Sequence, residues 1–295
     1  MSARTISAQP LVSNICTLAE GPFWFQDQYW WVDIEPGLLH SVDKQGGTSR
    51  AYEMGQRLGV AVPIDDRRFV VGLEKGVGIF DRETGSIQII ATPEKDTPTN
   101  RFNDGKCDPA GRLIGGGLSM VGEKAASALF TFDQHLAFRK IFCPVSISNG
   151  LAWSADGATM YYIDSLVPEI MAFPYDVKTG EIGEKTTAVD LSGYDGVPDG
   201  MTIDRDGHLW VAFWGGWSVK CFSPKTGEHL ATVELPVSQP SSCAFGGPNL
   251  DQLFITTARV EIPEDKIADE PLAGSIFICE PGVTGLPVQK FAYAG

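Results

Sequence analysis

Apolar residues along this chain fall in short runs of four to eight, and each run breaks at a turn rich in Asp and Gly. One unit recurs six times: a short apolar strand, such a turn, then a second and more strongly apolar strand. The copies are GPFWFQDQYWWVDI, VAVPIDDRRFVVGL, KCDPAGRLIGGGL, GLAWSADGATMYYIDS, GMTIDRDGHLWVAFW and SCAFGGPNLDQLFITTA. They start at Gly21, Val60, Lys106, Gly150, Gly200 and Ser242, about 39 to 50 residues apart, which is the period of a four-stranded propeller blade. A second series interleaves with the first: LLHSVDKQGG, GIFDRETG, ALFTFDQH, IMAFPYDVKTG, VKCFSPKTG and SIFICEPGVTG, each ending in a hairpin turn. Helical periodicity is nearly absent, and only residues 263–271 (PEDKIADEP) suit a short helical turn.

The pattern predicts an all-β fold: a single six-bladed β-propeller of four-stranded blades around a central channel, spanning residues 1–295. About 20 residues precede the first unit, and QPLVSNICTL among them has strand character. It is expected to complete the last blade, because an unpaired sheet edge is a liability. A pair of β-sandwiches is the competing architecture, but sandwiches do not produce six similar units at this period.

Composition sharpens the picture. Glycine, 33 of 295 residues, is in excess while Pro is not, so the excess belongs to turns. Lys and Arg number 23 against 37 Asp and Glu, a net charge of −14, which repels phosphate backbones and anionic lipid and argues against nucleic-acid or membrane partners. Six scattered cysteines without a CxxC pair read as free, buried thiols in a reducing cytosol. The N-terminus lacks the apolar stretch of a signal peptide, and no window approaches 18 consecutive apolar residues. A soluble cytoplasmic protein is expected, a monomer or small homo-oligomer.

Repeat register also locates candidate chemistry. In a propeller the residues just before equivalent inner strands form a ring at one channel mouth. That column holds Glu20, Leu58-Gly59, Asn103-Asp104, Asn149, Asp199 and Ser241-Ser242. Glu20, Asn149 and Asp199 together make two carboxylates and a carboxamide, hard oxygen ligands suited to a divalent cation. Asn and Asp beside Gly are also ordinary turn formers; their register across several blades favours the site. No GxSxG, HExxH, Walker-type loop or GxGxxG opening a helix occurs. His40, His135, His208 and His229 read as solvated residues of outer turns. Most tryptophans read as packing between blades, with Trp214 and Trp217 placed at a rim where a sugar ring could stack.

Six blocks resemble a known family: NRFNDGKCDPAGRL, SISNGLAWSADGATMYYIDS, VPDGMTIDRDGHLWVA, SSCAFGG, PLAGSIF and the terminal YAG. They resemble the senescence marker protein, regucalcin and gluconolactonase family, from AEGPFW at Ala19 to the last residue. The resemblance implies a six-bladed propeller with one divalent metal in its channel that opens sugar lactones, such as gluconolactone, to aldonic acids. It implies Glu20, Asn149 and Asp199 as metal ligands, with Ca²⁺, Zn²⁺, Mn²⁺, Mg²⁺ and Fe²⁺ all in play. It also implies Asp199 as the catalytic base or as a ligand only, Asn103 as a residue touching water or substrate, and Arg101 as a substrate contact whose planar fork suits several sugar oxygens. Close relatives carry acidic residues where this chain has Gly117-Leu118-Ser119-Met120-Val121, so its preferred sugar is expected to differ. A non-catalytic calcium- or ligand-binding propeller is the rival function, and a same-fold hydrolase of other esters or organophosphates a third.

Overall fold

The computed structural model describes residues 3–13, 16–47 and 49–295. Six antiparallel sheets stand in a ring. Their inner strands are Ala19–Phe25, Leu58–Pro63, Asn100–Cys107, Ser148–Trp153, Val197–Ile203 and Pro240–Gly246, which number blades 1 to 6. Every predicted unit forms the first two strands of one blade, and every copy of the second series supplies the third. No helix forms among the described residues; 263–271 makes one turn, closed by the Ile267 amide on the Pro263 carbonyl at 3.1 Å.

Side chains alternate across a strand, and a blade in a ring has neighbours on both faces. Its second strand is therefore apolar throughout rather than alternately so. In blade 1, Trp30 enters the cluster shared with Phe69 and Phe80 of blade 2, while the adjacent Trp31 enters the cluster shared with Phe254 of blade 6. Six such clusters fill the six seams between blades. The ring has no single core.

Ring closure takes the expected strand and one more. Gln9–Val12 pairs antiparallel with Ile276–Cys279 and completes blade 6. Just before it, Arg4–Ser7 pairs parallel with His229–Glu234 at the outer edge of blade 5. At the other end of the sequence, residues 284–294 cross the lower face of the ring, with backbone bonds to Arg205, Leu250, Pro63, Gly111 and Gln134.

Two expectations are corrected. Among the histidines only His135 is fully exposed; His40, His208 and His229 are half-buried. His40 stacks on Trp31 at 5.1 Å, and His229 packs against Phe222 at 5.3 Å, because each stands directly opposite that aromatic on the neighbouring strand of its own blade. Five cysteines are buried and unpaired, but Cys143 is exposed.

Candidate active site

All six inner strands carry a register shift near their start: at Glu20/Phe23, Leu58/Val60, Phe102/Asp104, Asn149/Leu151, Pro198/Met201 and Pro240/Ser242. A bulge turns successive side chains out of strict alternation, and here it aims them at the channel. Glycines at the bulges of blades 2 to 5 make room for this. A Cβ on Gly150 would lie 2.7 Å from Met201 Cβ of the next blade, and one on Gly59 would lie 2.3 Å from the Phe102 carbonyl oxygen.

The bulges bring together the residues predicted from the sequence. Glu20, Arg101, Asn103, Asn149 and Asp199 are all buried at the upper end of the channel. Arg101 Nη1 donates to Asn103 Oδ1 at 2.7 Å. Asn103 Nδ2 donates to the Ser148 carbonyl at 2.9 Å and to Asn149 Oδ1 at 3.2 Å. Asn149 Nδ2 is held by Ser165 Oγ at 2.7 Å, which turns the carboxamide so that its oxygen faces inward. Among the described residues Glu20 accepts one hydrogen bond, its neighbour's amide, Gly21 N to Oε2 at 2.7 Å.

Three members of the site were not assigned roles from the sequence. Asp104 stands in the same column and is buried, with Oδ1 on the Gly105 amide at 2.7 Å and Oδ2 without a partner. Lys106 crosses the channel and donates to the Met201 carbonyl. Ser165 fixes Asn149 but lies 16 residues from it, beyond any local motif. The Asn103-Asp104 pair was the only signal available.

Electrostatics follow from burial. Desolvation, then repulsion from Asp104, pushes the Glu20 carboxyl up to about 8. Desolvation and the Glu20 and Asp104 charges hold Asp199 well above the ordinary carboxylate range. Desolvation lowers the Arg101 guanidinium to about 10, while Glu35 is the strongest of the carboxylates holding it charged. Three carboxyls thus share one poorly hydrated space with Lys106 and Arg101, an arrangement that a divalent cation would relieve. The inward oxygens of Glu20, Asn149 and Asp199 are the atoms that could hold one.

Above the ring, Val121, Leu166, Val197 and Trp217 expose apolar surface at the same end of the blades. Arg57 links Glu35 at 2.9 Å to Glu74 at 3.1 Å, and its Nη1 lies 3.7 Å from Met120 Sδ. Below it, the channel holds a cavity of about 200 Å³, lined by Phe23, Trp153, Ile203 and Phe245 and floored by residues 286–289.

Residues 18–259 match the family model described as SMP-30/Gluconolactonase/LRE-like region. The chain belongs to that family. Regucalcin of Xenopus laevis is a family relative 34% identical, with 98% of this chain and 99% of its own covered. A Bacillus subtilis protein with the provisional name sugar lactone lactonase YvrE is 32% identical, covering 93% and 95%. Among solved structures, the calcium-binding protein regucalcin from Agrobacterium tumefaciens superposes with a TM-score of 0.93 at 29% identity, covering 98% of this chain and 99% of that one. A luciferin-regenerating enzyme gives 0.87 at 30% identity, covering 94% and 95%. SMP-30/gluconolactonase/LRE-like membership thus extends over nearly the full length of each relative.

Proposed function

We propose that this protein is a metal-dependent hydrolase that opens sugar lactones to aldonic acids at the upper end of its channel. The observation that carries the proposal is the buried convergence of Glu20, Asn149 and Asp199 from three blades, with Arg101 and Asn103 bonded into the same network. The donor set fits a hard divalent cation: every inward donor is oxygen, and two are carboxylates whose proton affinity is raised by burial and by the neighbouring carboxylates. Family membership supports lactone chemistry, since the matching model carries gluconolactonase in its description.

A bound divalent cation supplies a Lewis acid for the carbonyl oxygen of the lactone. The protein's residues do the rest. The Arg101 fork, fixed by Asn103, holds sugar oxygens and orients the ring. Asp199 accepts a proton from the attacking water as the new carbon–oxygen bond forms, and returns it to the ring oxygen when that bond to the acyl carbon breaks. Asn149, braced by Ser165, keeps its oxygen inward throughout.

The exposed apolar side chains at the mouth favour a second reading on the same site, an ester or lactone with an apolar substituent resting on Trp217 and Val197. Screening aldonolactones beside aryl esters by pH indicator, with chelator-stripped protein reloaded with Ca²⁺, Mg²⁺, Mn²⁺, Zn²⁺ or Fe²⁺, separates the two. Turnover of an aldonolactone with at least one metal supports the first. Faster hydrolysis of aryl esters supports the second, and no turnover of either returns the protein to a binding role.

A further inference from the structure

The blades repeat one structural device away from the channel. In blade 4 the Asp164 carboxylate accepts the amides of Ser146 at 2.9 Å and Ile147 at 3.0 Å, just before the inner strand. In blade 1 Asp33 does the same for Thr17 at 3.0 Å and Leu18 at 2.8 Å. This superposition makes Cys16 the counterpart of Val145. His40, paired with Trp31, becomes the counterpart of Met171, paired with Tyr162. Val145 and Met171 are ordinary buried packing residues, 0% and 2% exposed. Blade 1 has exchanged both for side chains that bind metals.

The three ligand atoms of Cys16, Asp33 and His40 lie within 4.8 Å of one another. Cys16 is 2% exposed, and His40 Nε2 is buried without any hydrogen-bond partner. A buried imidazole nitrogen left unsatisfied gives up its hydration for nothing, while a methionine there, as in blade 4, would give up nothing of the kind. We propose that Cys16, Asp33 and His40 form a zinc site that fastens the segment after the ring-closing strand to blade 1. Thiolate, imidazole and carboxylate each bind zinc, three of them leave the fourth tetrahedral position to water, and the −2 charge of thiolate and carboxylate balances the ion. Loading releases the thiol proton to solvent. Cys16 also receives the Trp31 indole N–H at 3.4 Å and donates its own amide to the Gly274 carbonyl of blade 6 at 3.0 Å. An ion there would tie blades 6 and 1 together at the seam where the ring closes.

A second trio, Asp204, His208 and Cys221, carries less. Its imidazole already has a partner, His208 Nδ1 lying 3.4 Å from Asp204 Oδ2, whereas His40 Nε2 has none.

Cobalt(II) titrated into chelator-stripped protein, in a Cys143→Ala background to silence the exposed thiol, provides the test. Binding at Cys16 gives a thiolate-to-cobalt charge-transfer band in the near ultraviolet, saturating at one ion per chain and bleached by Zn²⁺. The band should survive the Glu20→Gln/Asp199→Asn pair, because the channel ligands Glu20, Asn149 and Asp199 would hold an ion through oxygen alone. It should vanish in Cys16→Val, and His40→Met should need at least about tenfold more cobalt; both borrow the blade 4 side chains, and Cys16→Ser replaces the first if it does not fold. In the Glu20→Gln/Asp199→Asn background, where the channel ligands are removed, Zn²⁺ should still raise the melting temperature, and adding Cys16→Val or His40→Met should abolish that rise. No band in the parent overturns the proposal, as does a band that persists without Cys16 or disappears in Cys221→Ala.

Discussion

Asn103 spends both ends of its amide, holding Arg101 through Oδ1 and Asn149 through Nδ2. Asn103→Ala should therefore lower kcat/KM for a lactone by about 10–100-fold and also weaken metal binding, read by turnover beside calorimetric titration. Ser165→Ala should weaken the metal by about tenfold with KM nearly unchanged, since the hydroxyl it removes is the one that holds Asn149. Proton linkage gives a further check. Glu20 moves from 4.5 to about 8 in the folded, metal-free protein, so the fold binds the proton more tightly than the unfolded chain does. Glu20's contribution to metal-free stability should be fullest below pH 4.5 and be lost as pH rises through about 8. Added cation should therefore raise the melting temperature more at pH 8 than at pH 5, as a calorimetric pH series will show. Glu20, Asn149 and Asp199 were legible in the sequence because each precedes Gly at the same point of a repeat. Ser165 and the bare Oδ2 of Asp104 were not, since both depend on where a bulge turns a side chain.

At the scale of the element, the repeated inner-strand bulge is the device that makes a channel site from strands. Gly150→Ala would push a methyl against Met201 Cβ of blade 5. It should cost about 1–3 kcal/mol in denaturant unfolding and lower metal affinity through Asn149 beside it. Strand identity was readable throughout, because period and turn chemistry agreed in all six units. The outer strands were read less well. His40 and His229 looked like solvated turn residues because a histidine carries no periodic signal, yet His40 stacks on Trp31 and His229 packs at a tilt against Phe222. The parallel pairing of Arg4–Ser7 was equally hidden, since its partner, His229–Glu234, is more than two hundred residues away.

For the whole molecule, closure rests on one short segment shared between blades 5 and 6. Deleting residues 1–12 should cost on the order of several kcal/mol in lost strand pairing and bare the Ile276–Cys279 edge. Calorimetry should find a lower melting temperature, and size-exclusion chromatography should find self-association. The ring itself was legible because six seams need six similar units, and the sequence supplies them in order. The shared segment also bears on synthesis. The residues that finish the last two blades leave the ribosome first, and their partners emerge only after more than two hundred others. At about 5–20 residues per second, the first strands wait for tens of seconds with their backbone groups unclaimed. Throughout that interval the nascent chain is an open arc, and a strand from a neighbouring copy can take the place its own N-terminus is meant to fill.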